Sequence, residues 1–196
     1  MARDTILMVE HPPVVTIGKD GHKENYESLD QEPFFIERGG DVTYHGPGQL
    51  VIYFIFNLAR RGRDIHDFMA KIQDGIIHAL AAIDIGAARG EEHTGVWVDG
   101  RKIASIGIAV KNWISFHGAA VNLNTDLAEF EQISPCGLDA EVMTSAAKLL
   151  DKEVDMEQFA GTLLDAYSKI FRTDFYDVKL EEIAEDIESQ AGGNVI

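Results

Sequence analysis

The sequence predicts an α/β fold of the α+β kind, in which a mixed β-sheet is flanked by helices. Apolar runs typical of strands occur in clusters, amphipathic segments typical of helices lie between the clusters, and an Asp-Gly pair joins two of the runs. The length of 196 residues and the hydrophobic share of 45% suit a single core. We therefore expect one domain over residues 1–196, without internal repeats.

The first half of the chain alternates predicted strands with glycine-rich turns. DTILMVEH and PPVVTIG are rich in Leu, Val and Ile and are predicted to form short strands, as are residues 34–36 and 50–58. The run at 50–58 is apolar almost throughout, which is typical of a strand covered on both faces. Residues 64–83 then repeat apolar side chains at spacings of three and four, which predicts a helix with Asp64 as its N-cap.

The second half contains a predicted hairpin, a further strand and a helix. Residues 96–98 and 102–111 flank Asp99-Gly100, and this dipeptide is a strong hairpin signal. Residues 115–122 form the next predicted strand. MEQFAGTLLDAYSKIF places its apolar residues on one helical face, and the acidic segment LEEIAEDIESQAGG is expected to be a helical end.

Composition narrows the possible functions. The formal net charge of −16 argues against a nucleic-acid partner, because phosphate binding needs a basic surface. A single cysteine cannot form an internal disulfide, and no apolar run is long enough to span a membrane, so we expect a cytoplasmic protein that binds no membrane. Residues 38–111 carry no acidic excess and include ARRGR, which is either a contact for an acidic partner or a solvated loop.

Four stretches carry residues suited to chemistry. RGGDVTYHGPGQ is rich in glycine and is either a ligand loop or a long hairpin turn. GRKIASIGIAV contains Lys102, and SFHGAAVNLN places His117 before small residues. Cys136, in ISPCGL, is either a buried small apolar residue or a nucleophile activated by a nearby cation. The scattered histidines and the single thiol argue against a zinc site, and the phosphate-binding glycine spacings are absent.

Taken together, five ordered blocks of sequence resemble the octanoyltransferases of lipoate biosynthesis, also called lipoyl(octanoyl) transferases. The blocks are EHPPVVTIG, RGGDVTYHGPGQLVIY, GVWVDGRKIASIGIAV, SFHGAAVNLNTDL and ISPCGL, and they span residues 10–138. The resemblance implies the catalytic-domain fold that this family shares with the biotin and lipoate protein ligases.

The resemblance also implies a reaction. A cysteine takes an octanoyl group from octanoyl-acyl carrier protein, where phosphopantetheine carries it, and a lysine ε-amine of a lipoyl domain then receives it. The implied acceptors are the lipoyl domains of 2-oxoacid dehydrogenase complexes and the glycine cleavage H protein. The acyl group arrives as a thioester, so no ATP, metal or other cofactor is expected.

Residue by residue, Cys136 matches the acyl-carrying cysteine of the family, and Lys102 matches the lysine that lowers the pKa of that thiol and relays protons. Thr43, Tyr44 and His45 would place the thioester end, and small residues elsewhere would leave room for the acyl chain. The implied substrate-binding positions are Arg38, Gly39, Gly40, Asp41, Val42, Thr43, Tyr44 and His45, then Ser105, Ile106 and Gly107, and finally Gly118, Ala119 and Ala120.

Two departures and two alternatives accompany this reading. Family members carry a further strand and helix before the EHPP block, so we expect a surface here that pairs with a partner or with a second copy of the chain. Met143 interrupts the usual Val-Thr-Ser run. The alternatives are an ATP-dependent lipoate or biotin ligase on the same fold, which would not need Cys136, and a non-catalytic module that binds lipoyl domains.

Overall fold

A computed structural model describes residues 3–29, 32–91 and 93–178. Within these residues the strands, in chain order, are β1 (Thr5–Val9), β2 (Val14–Ile17), β3 (Phe34–Phe35), β4 (Val42–His45), β5 (Gln49–Ile55), β6 (Ala88–Arg89), β7 (Gly95–Val98), β8 (Arg101–Lys111) and β9 (Ile114–Asn122). The α-helices are α1 (Ile65–Ala81), α2 (Ala146–Leu150) and α3 (Met156–Phe171). Single 3₁₀ turns or short 3₁₀ helices occur at Lys23–Asn25, Leu58–Arg60, Leu127–Gln132, Pro135–Gly137 and Ala140–Val142.

The strands form two sheets. The larger one has the order β1-β5-β9-β8-β7-β6, and its neighbouring strands are antiparallel. The smaller one has the order β3-β2-β4, in which β2 is parallel to β3 and antiparallel to β4. The predicted class, a mixed β-sheet with flanking helices, is therefore confirmed.

The main core lies between the larger sheet and the helices α1 and α3. Phe54 meets the ring of Tyr167 edge to face at a centroid distance of 5.1 Å, and the Tyr167 hydroxyl donates to the carbonyl of Ile72 at 3.0 Å. Gly75 of α1 makes room for that ring, since a Cβ there would lie 2.1 Å from it. A buried Tyr needs such an acceptor, so this contact fixes how the helices pack.

Strand β5 separates this core from the opposite face of the sheet. Leu50, Ile52 and Phe54 point into the main core, whereas Val51 and Tyr53 face the other side, as the two-residue period of a strand requires. Both faces of β5 are covered by protein, as its near-continuous apolar run predicted. The smaller sheet packs its own cluster, which includes Val15, Val42 and Tyr44.

Several local predictions are confirmed. Asp64 caps α1, since its side chain accepts from the backbone N–H of Asp67 at 2.9 Å. The residues Asp99 and Gly100 have φ angles of 47° and 76°, as a tight hairpin turn between β7 and β8 requires. The acidic segment at residues 180–193 lies outside the described residues.

One arginine of the ARRGR segment, Arg61, packs against the rest of the fold. Arg61 forms an ion pair with Asp4 at 2.7 Å and lies over the ring of Phe56 at 4.9 Å. Its guanidinium also donates to the carbonyl of Phe171 at 3.2 Å. Arg61 is therefore a structural residue, whereas Arg60 and Arg63 are exposed, as the solvated-loop alternative expects. Among the described residues, none of the helices is both long and apolar enough to cross a membrane.

Candidate active site

Strands of both sheets enclose one cavity of about 110 Å³. It lies on the face of the larger sheet that points away from α1 and α3, and the segment between β3 and β4 closes one side of it. Its walls combine small and apolar residues with a few polar groups, as small-molecule sites usually do. The lining residues are His11, Val14, Thr16, Ile36, Arg38, Gly39, Gly40, Thr43, His45, Val51, Tyr53, Lys102, Ser105, Ile106, Gly107, His117, Gly118, Ala119 and Ala120.

At two glycines of this cavity, neighbouring backbone segments approach each other closely. A Cβ at Gly107 would lie 2.8 Å from the carbonyl oxygen of Gly39, and the Gly39 N–H donates to the Ile108 carbonyl at 3.0 Å. A Cβ at Gly118 would lie 1.9 Å from the carbonyl oxygen of Ile52. Only glycine fits at these points, so the segment around Gly39 lies directly on strand β8 and the neighbouring strands approach closely.

Lys102 is buried at the beginning of β8, with only 3% of its surface exposed. Its Nζ lies 5.7 Å from the centre of the Trp97 ring, within the range of a cation–π contact. Gly95 makes room for the lysine stem, because a Cβ there would lie 2.6 Å from Lys102 Cε. The pairing of β7 with β8 shifts by one residue just after Lys102, and bulges of this kind redirect side chains near active sites.

Cys136 lies in the 3₁₀ turn Pro135–Gly137, which packs against β4. Gly137 takes a φ of 71°, and its N–H donates to the Ser134 carbonyl at 2.9 Å. The Ser134 N–H donates in turn to the carbonyl of Asn25 at 2.8 Å. The turn is thus fixed to a loop of the smaller sheet, in the part of the fold that contains β4.

His45 begins a chain of hydrogen bonds that ends beside Lys102. Its Nδ1 lies 2.7 Å from Gln49 Oε1, and the Gln49 amide donates to Asn122 Oδ1 at 2.8 Å. The Asn122 amide donates to the carbonyl of Thr144 at 3.1 Å, and the Thr144 N–H donates to the Lys102 carbonyl at 3.0 Å. Because Gln49 offers oxygen to His45, the proton of the neutral ring sits on Nδ1 and Nε2 keeps its lone pair.

Burial is the main reason that His45 is neutral. It lowers the pKa of His45 to about 4, the hydrogen bond to Gln49 opposes this shift, and the positive charge of Arg38 adds to it. Burial and Arg38 lower the pKa of His117 as well. Arg38 itself is buried and donates to the carbonyl of Thr16 at 2.8 Å and to its hydroxyl at 3.1 Å. The fixed positive charge of Arg38 at the cavity thus disfavours protonation of both His45 and His117.

Replacing His45 with Gln will make the free energy of unfolding depend less on pH. The unfolded chain binds a proton at the ordinary histidine pKa of 6.5, whereas the folded chain binds it only near pH 4. The stability from the neutral ring is therefore complete above pH 6.5 and is lost as pH falls towards 4, by about 3 kcal/mol in all. Urea unfolding at pH 7 and pH 4.5 measures the difference. His66→Gln, at an exposed position of α1, is the matched control and should leave the wild-type slope unchanged.

Among the predicted site residues, Lys102 and most of the substrate-binding positions line the cavity. These positions form three blocks, residues 38–45, 105–107 and 118–120. Arg38, Gly39, Gly40, Thr43 and His45 line it from the first block, as do all six residues of the other two blocks. Asp41, Val42 and Tyr44 do not: Val42 and Tyr44 belong to the second apolar cluster, and Asp41 accepts hydrogen bonds from backbone and from Asn25. The expectation that Tyr44 places the thioester end therefore finds no support in this geometry.

The reason for this split is that residues 42–45 form strand β4. Neither sequence reading, a ligand loop or a long turn, included a strand there, and both are wrong for these four residues. In a strand, alternate side chains face opposite sides, so Thr43 and His45 reach the cavity while Val42 and Tyr44 reach the cluster.

Several lining residues were not predicted from the sequence. His11 and Tyr53 form a pair, with His11 Nε2 2.7 Å from the Tyr53 hydroxyl. Burial raises the pKa of Tyr53, so this hydroxyl keeps its proton at neutral pH. His11 stands in the EHPP block, and its polar side chain between two predicted strands was the available signal. His117 has a φ of 62°, a conformation that a non-glycine residue rarely adopts inside a strand. In the described part of the chain, no group of three or more His, Cys, Asp or Glu side chains could hold a metal ion.

The comparisons with solved structures agree on the fold. Lipoate-protein ligase A, in its crystal structure with bound ATP, superimposes with a TM-score of 0.75 at 16% identity and covers 93% of this chain and 79% of that one. The biotin protein ligase of Aquifex aeolicus gives a TM-score of 0.53 at 13% identity, over 80% of this chain and 68% of that one. These likenesses confirm the predicted ligase-like catalytic fold.

Sequence comparison defines the family. The family model of the lipoyl protein ligase A/B catalytic domain matches residues 1–168. The octanoyltransferase of Caldicellulosiruptor saccharolyticus is 44% identical over 193 residues, which cover 94% of this chain and 82% of that protein. The octanoyltransferase of Geobacter metallireducens is 43% identical over 153 residues, which cover 78% of this chain and 72% of that protein. This chain therefore belongs to the lipoyl protein ligase A/B catalytic-domain family and, within it, to the octanoyltransferases, which are acyltransferase enzymes.

Proposed function

We propose that this enzyme carries an octanoyl group as a thioester on Cys136, receives it from octanoyl-acyl carrier protein and passes it to a lysine ε-amine of a lipoyl domain. The observation that carries the proposal is the cavity, which combines a buried lysine with walls of small residues in an octanoyltransferase chain. This transfer would be the first step of protein lipoylation.

The acyl chain would occupy the part of the cavity formed by β8 and β9. Gly107, Gly118, Ala119 and Ala120 present little side chain there, so an unbranched chain can lie against the sheet. Burial contributes roughly 0.8 kcal/mol per methylene, or about 5 kcal/mol for the six methylenes of an octanoyl group. This apolar contribution holds the substrate without polar contacts along the chain.

In the first half-reaction the thiolate of Cys136 attacks the carbonyl carbon of the incoming thioester. The carbon–sulfur bond to phosphopantetheine breaks, and the leaving sulfur takes a proton from the Lys102 ammonium. A nearby cation favours the thiolate over the thiol and so raises the reactive fraction at neutral pH. One thioester replaces another, so the step needs no ATP.

In the second half-reaction the lysine amine of the acceptor attacks the Cys136 thioester. Lys102, now neutral, takes the proton that the attacking nitrogen loses, and the cysteine leaves as thiolate. The product is an amide, which is more stable than the thioester. Neutral His45 would accept a hydrogen bond through Nε2 from an amide or amine N–H at the polar end of the cavity.

Both proposed partners are proteins that present an extended group. Acyl carrier protein would offer phosphopantetheine, and the acceptors would be lipoyl domains of 2-oxoacid dehydrogenase complexes and the glycine cleavage H protein. Each places its reacting atom at the end of a flexible arm, which suits a cavity enclosed between two sheets. The proposal involves neither nucleotide nor metal, and it places the enzyme in the cytoplasm.

Cys136→Ser will abolish the covalent intermediate. Incubation of the wild-type protein with octanoyl-acyl carrier protein should add the mass of one octanoyl group, and the serine variant should gain none, because a serine hydroxyl is a far weaker nucleophile. Intact-protein mass spectrometry measures both. Since the chain has a single cysteine, the modified thiol is identified without further mapping.

A parallel incubation with octanoic acid and ATP separates this proposal from the ligase alternative. The proposed transferase gives no octanoylated lipoyl domain under those conditions. Transfer from free acid and ATP that persists in Cys136→Ser would establish a ligase instead. Binding of the lipoyl domain without any acyl transfer would establish a non-catalytic module.

A further inference from the structure

Asp41 stands in the middle of the segment that forms the cavity wall, yet its side chain takes no part in the wall. It is buried, with 6% of its surface exposed. Its Oδ1 accepts from the backbone N–H of Val42 at 2.7 Å and of His22 at 3.1 Å. Its Oδ2 accepts from the side-chain amide of Asn25. A buried carboxylate with three donors is well satisfied and holds them in fixed positions.

Asn25 carries this contact to the turn that contains Cys136. The backbone carbonyl of Asn25 accepts from the Ser134 N–H at 2.8 Å. The turn Lys23–Asn25 packs on the turn Pro135–Gly137, and a Cβ at Gly137 would lie 3.7 Å from the Asn25 amide nitrogen. Within the second turn, the N–H groups of Gly137 and Leu138 donate back to Ser134 and Pro135, so these bonds shape the turn without attaching it to the sheet.

The backbone of Asp41 leads directly into the strand that forms part of the cavity wall. Its backbone carbonyl accepts from the Gly18 N–H at 3.2 Å, and the next residues along the chain form β4, which contributes Thr43 and His45 to the cavity. The side chain of Asp41 thus links the strand that lines the cavity to the loop that holds the Cys136 turn.

We propose that Asp41 is a positioning residue, which acts through Asn25 to hold the Cys136 turn in register with the cavity. The proposal rests on the function proposed above, in which Cys136 is the nucleophile. Loss of the Asp41–Asn25 hydrogen bond lets the turn shift relative to β4, and a shift of about 1 Å between reacting groups costs on the order of 10²-fold in rate.

Two single variants and a swap of the two side chains test this link. Asn25→Leu keeps the size of the side chain and the backbone carbonyl that accepts from Ser134, but it removes the amide that donates to Asp41, so the contact is lost. Asn25→Asp alone sets two carboxylates against each other. The double variant Asp41→Asn/Asn25→Asp restores one donor and one acceptor with the direction reversed, and it leaves the net charge of the chain unchanged.

We expect each single variant to acylate Cys136 from octanoyl-acyl carrier protein about tenfold to a hundredfold more slowly than the wild type. The double variant should return to within about threefold, with the KM for the donor similar in all four proteins. Asp126→Asn is the matched control, since Asp126 is also an aspartate that accepts from backbone, but it is exposed and its hydrogen-bond partner is the Ala128 N–H, not Asn25. It should react at the wild-type rate.

A second measurement does not depend on the acyl donor. The rate at which iodoacetamide alkylates the single thiol, followed from pH 6 to 9, reports the pKa of Cys136. In the single variants this pKa should move towards the ordinary thiol value near 8.5, and in the double variant it should return to the wild-type value. Single variants with wild-type acylation rates and alkylation profiles, or a loss that the double variant does not recover, would overturn the positioning role. A wild-type protein that gains no octanoyl group would instead overturn the proposed function, whatever the alkylation profiles show.

Discussion

Replacement of Lys102 with alanine will slow the acylation of Cys136 by about 10²- to 10⁴-fold at pH 7, the usual contribution of a general acid–base group. Lys102 is buried beside Trp97 at the edge of the cavity, so its ammonium acts on neighbouring groups with little screening by water. The loss should shrink as pH rises past the ordinary thiol pKa near 8.5, because the thiolate then forms without help from a cation. Single-turnover acylation between pH 6 and 9.5 measures both features.

Lys111→Ala is the matched control for this experiment. Lys111 ends the same strand but is exposed, so its loss should leave the acylation rate within about twofold of the wild type. A Lys102→Ala rate that is depressed equally at all pH values would contradict the tuning of the thiol and leave proton transfer alone as the role of Lys102. A rate equal to that of the wild type at pH 7 would remove Lys102 from the mechanism.

The fold could be predicted from the sequence wherever periodicity and turn chemistry agreed. The α3 segment MEQFAGTLLDAYSKIF matches the helix Met156–Phe171, because its apolar residues fall on one face and Asp155 caps it. The Asp99-Gly100 turn fixes the register of β7 and β8. Strand β6 has only two residues, Ala88 and Arg89, which is too short for any period to be visible.

Strand β4 was missed for a different reason. Its four residues, VTYH, lie among four glycines and a proline, and that composition indicates a loop. Pairing with β2 from Val14 to Ile17 overrides the local signal. Once the strand is known, the alternation of Thr43 and His45 with Val42 and Tyr44 follows at once, and so does the division between cavity wall and core.

The candidate site could be predicted residue by residue only where the family motif contains residues that line the cavity. Arg38, Lys102 and the small residues of β8 and β9 meet this condition. The motif also contains Asp41, whose contacts with Asn25, His22 and Val42 are structural. A motif joins both kinds of residue because the chain that lines a site must also be held in place. Only the tertiary contacts distinguish residues that line the site from residues that hold it in place, because Asn25 is far from Asp41 in sequence.

Gly118→Ala will lower the free energy of unfolding by about 3 kcal/mol, at the upper end of the usual cost of overpacking. The added methyl would lie 1.9 Å from the carbonyl oxygen of Ile52 on the neighbouring strand, and a main-chain atom inside a sheet cannot turn aside as a flexible side chain can. The same shift of β9 against β5 narrows the cavity that Gly118 lines, so octanoyl transfer should fall together with stability. Gly161→Ala, the same change within α3, is the control: no atom lies within 4 Å of the new methyl, and alanine favours the helix by about 1 kcal/mol, so stability should rise. Urea unfolding of the two variants should therefore move in opposite directions, and a Gly118→Ala midpoint at or above that of the wild type would contradict the close approach of β5 and β9.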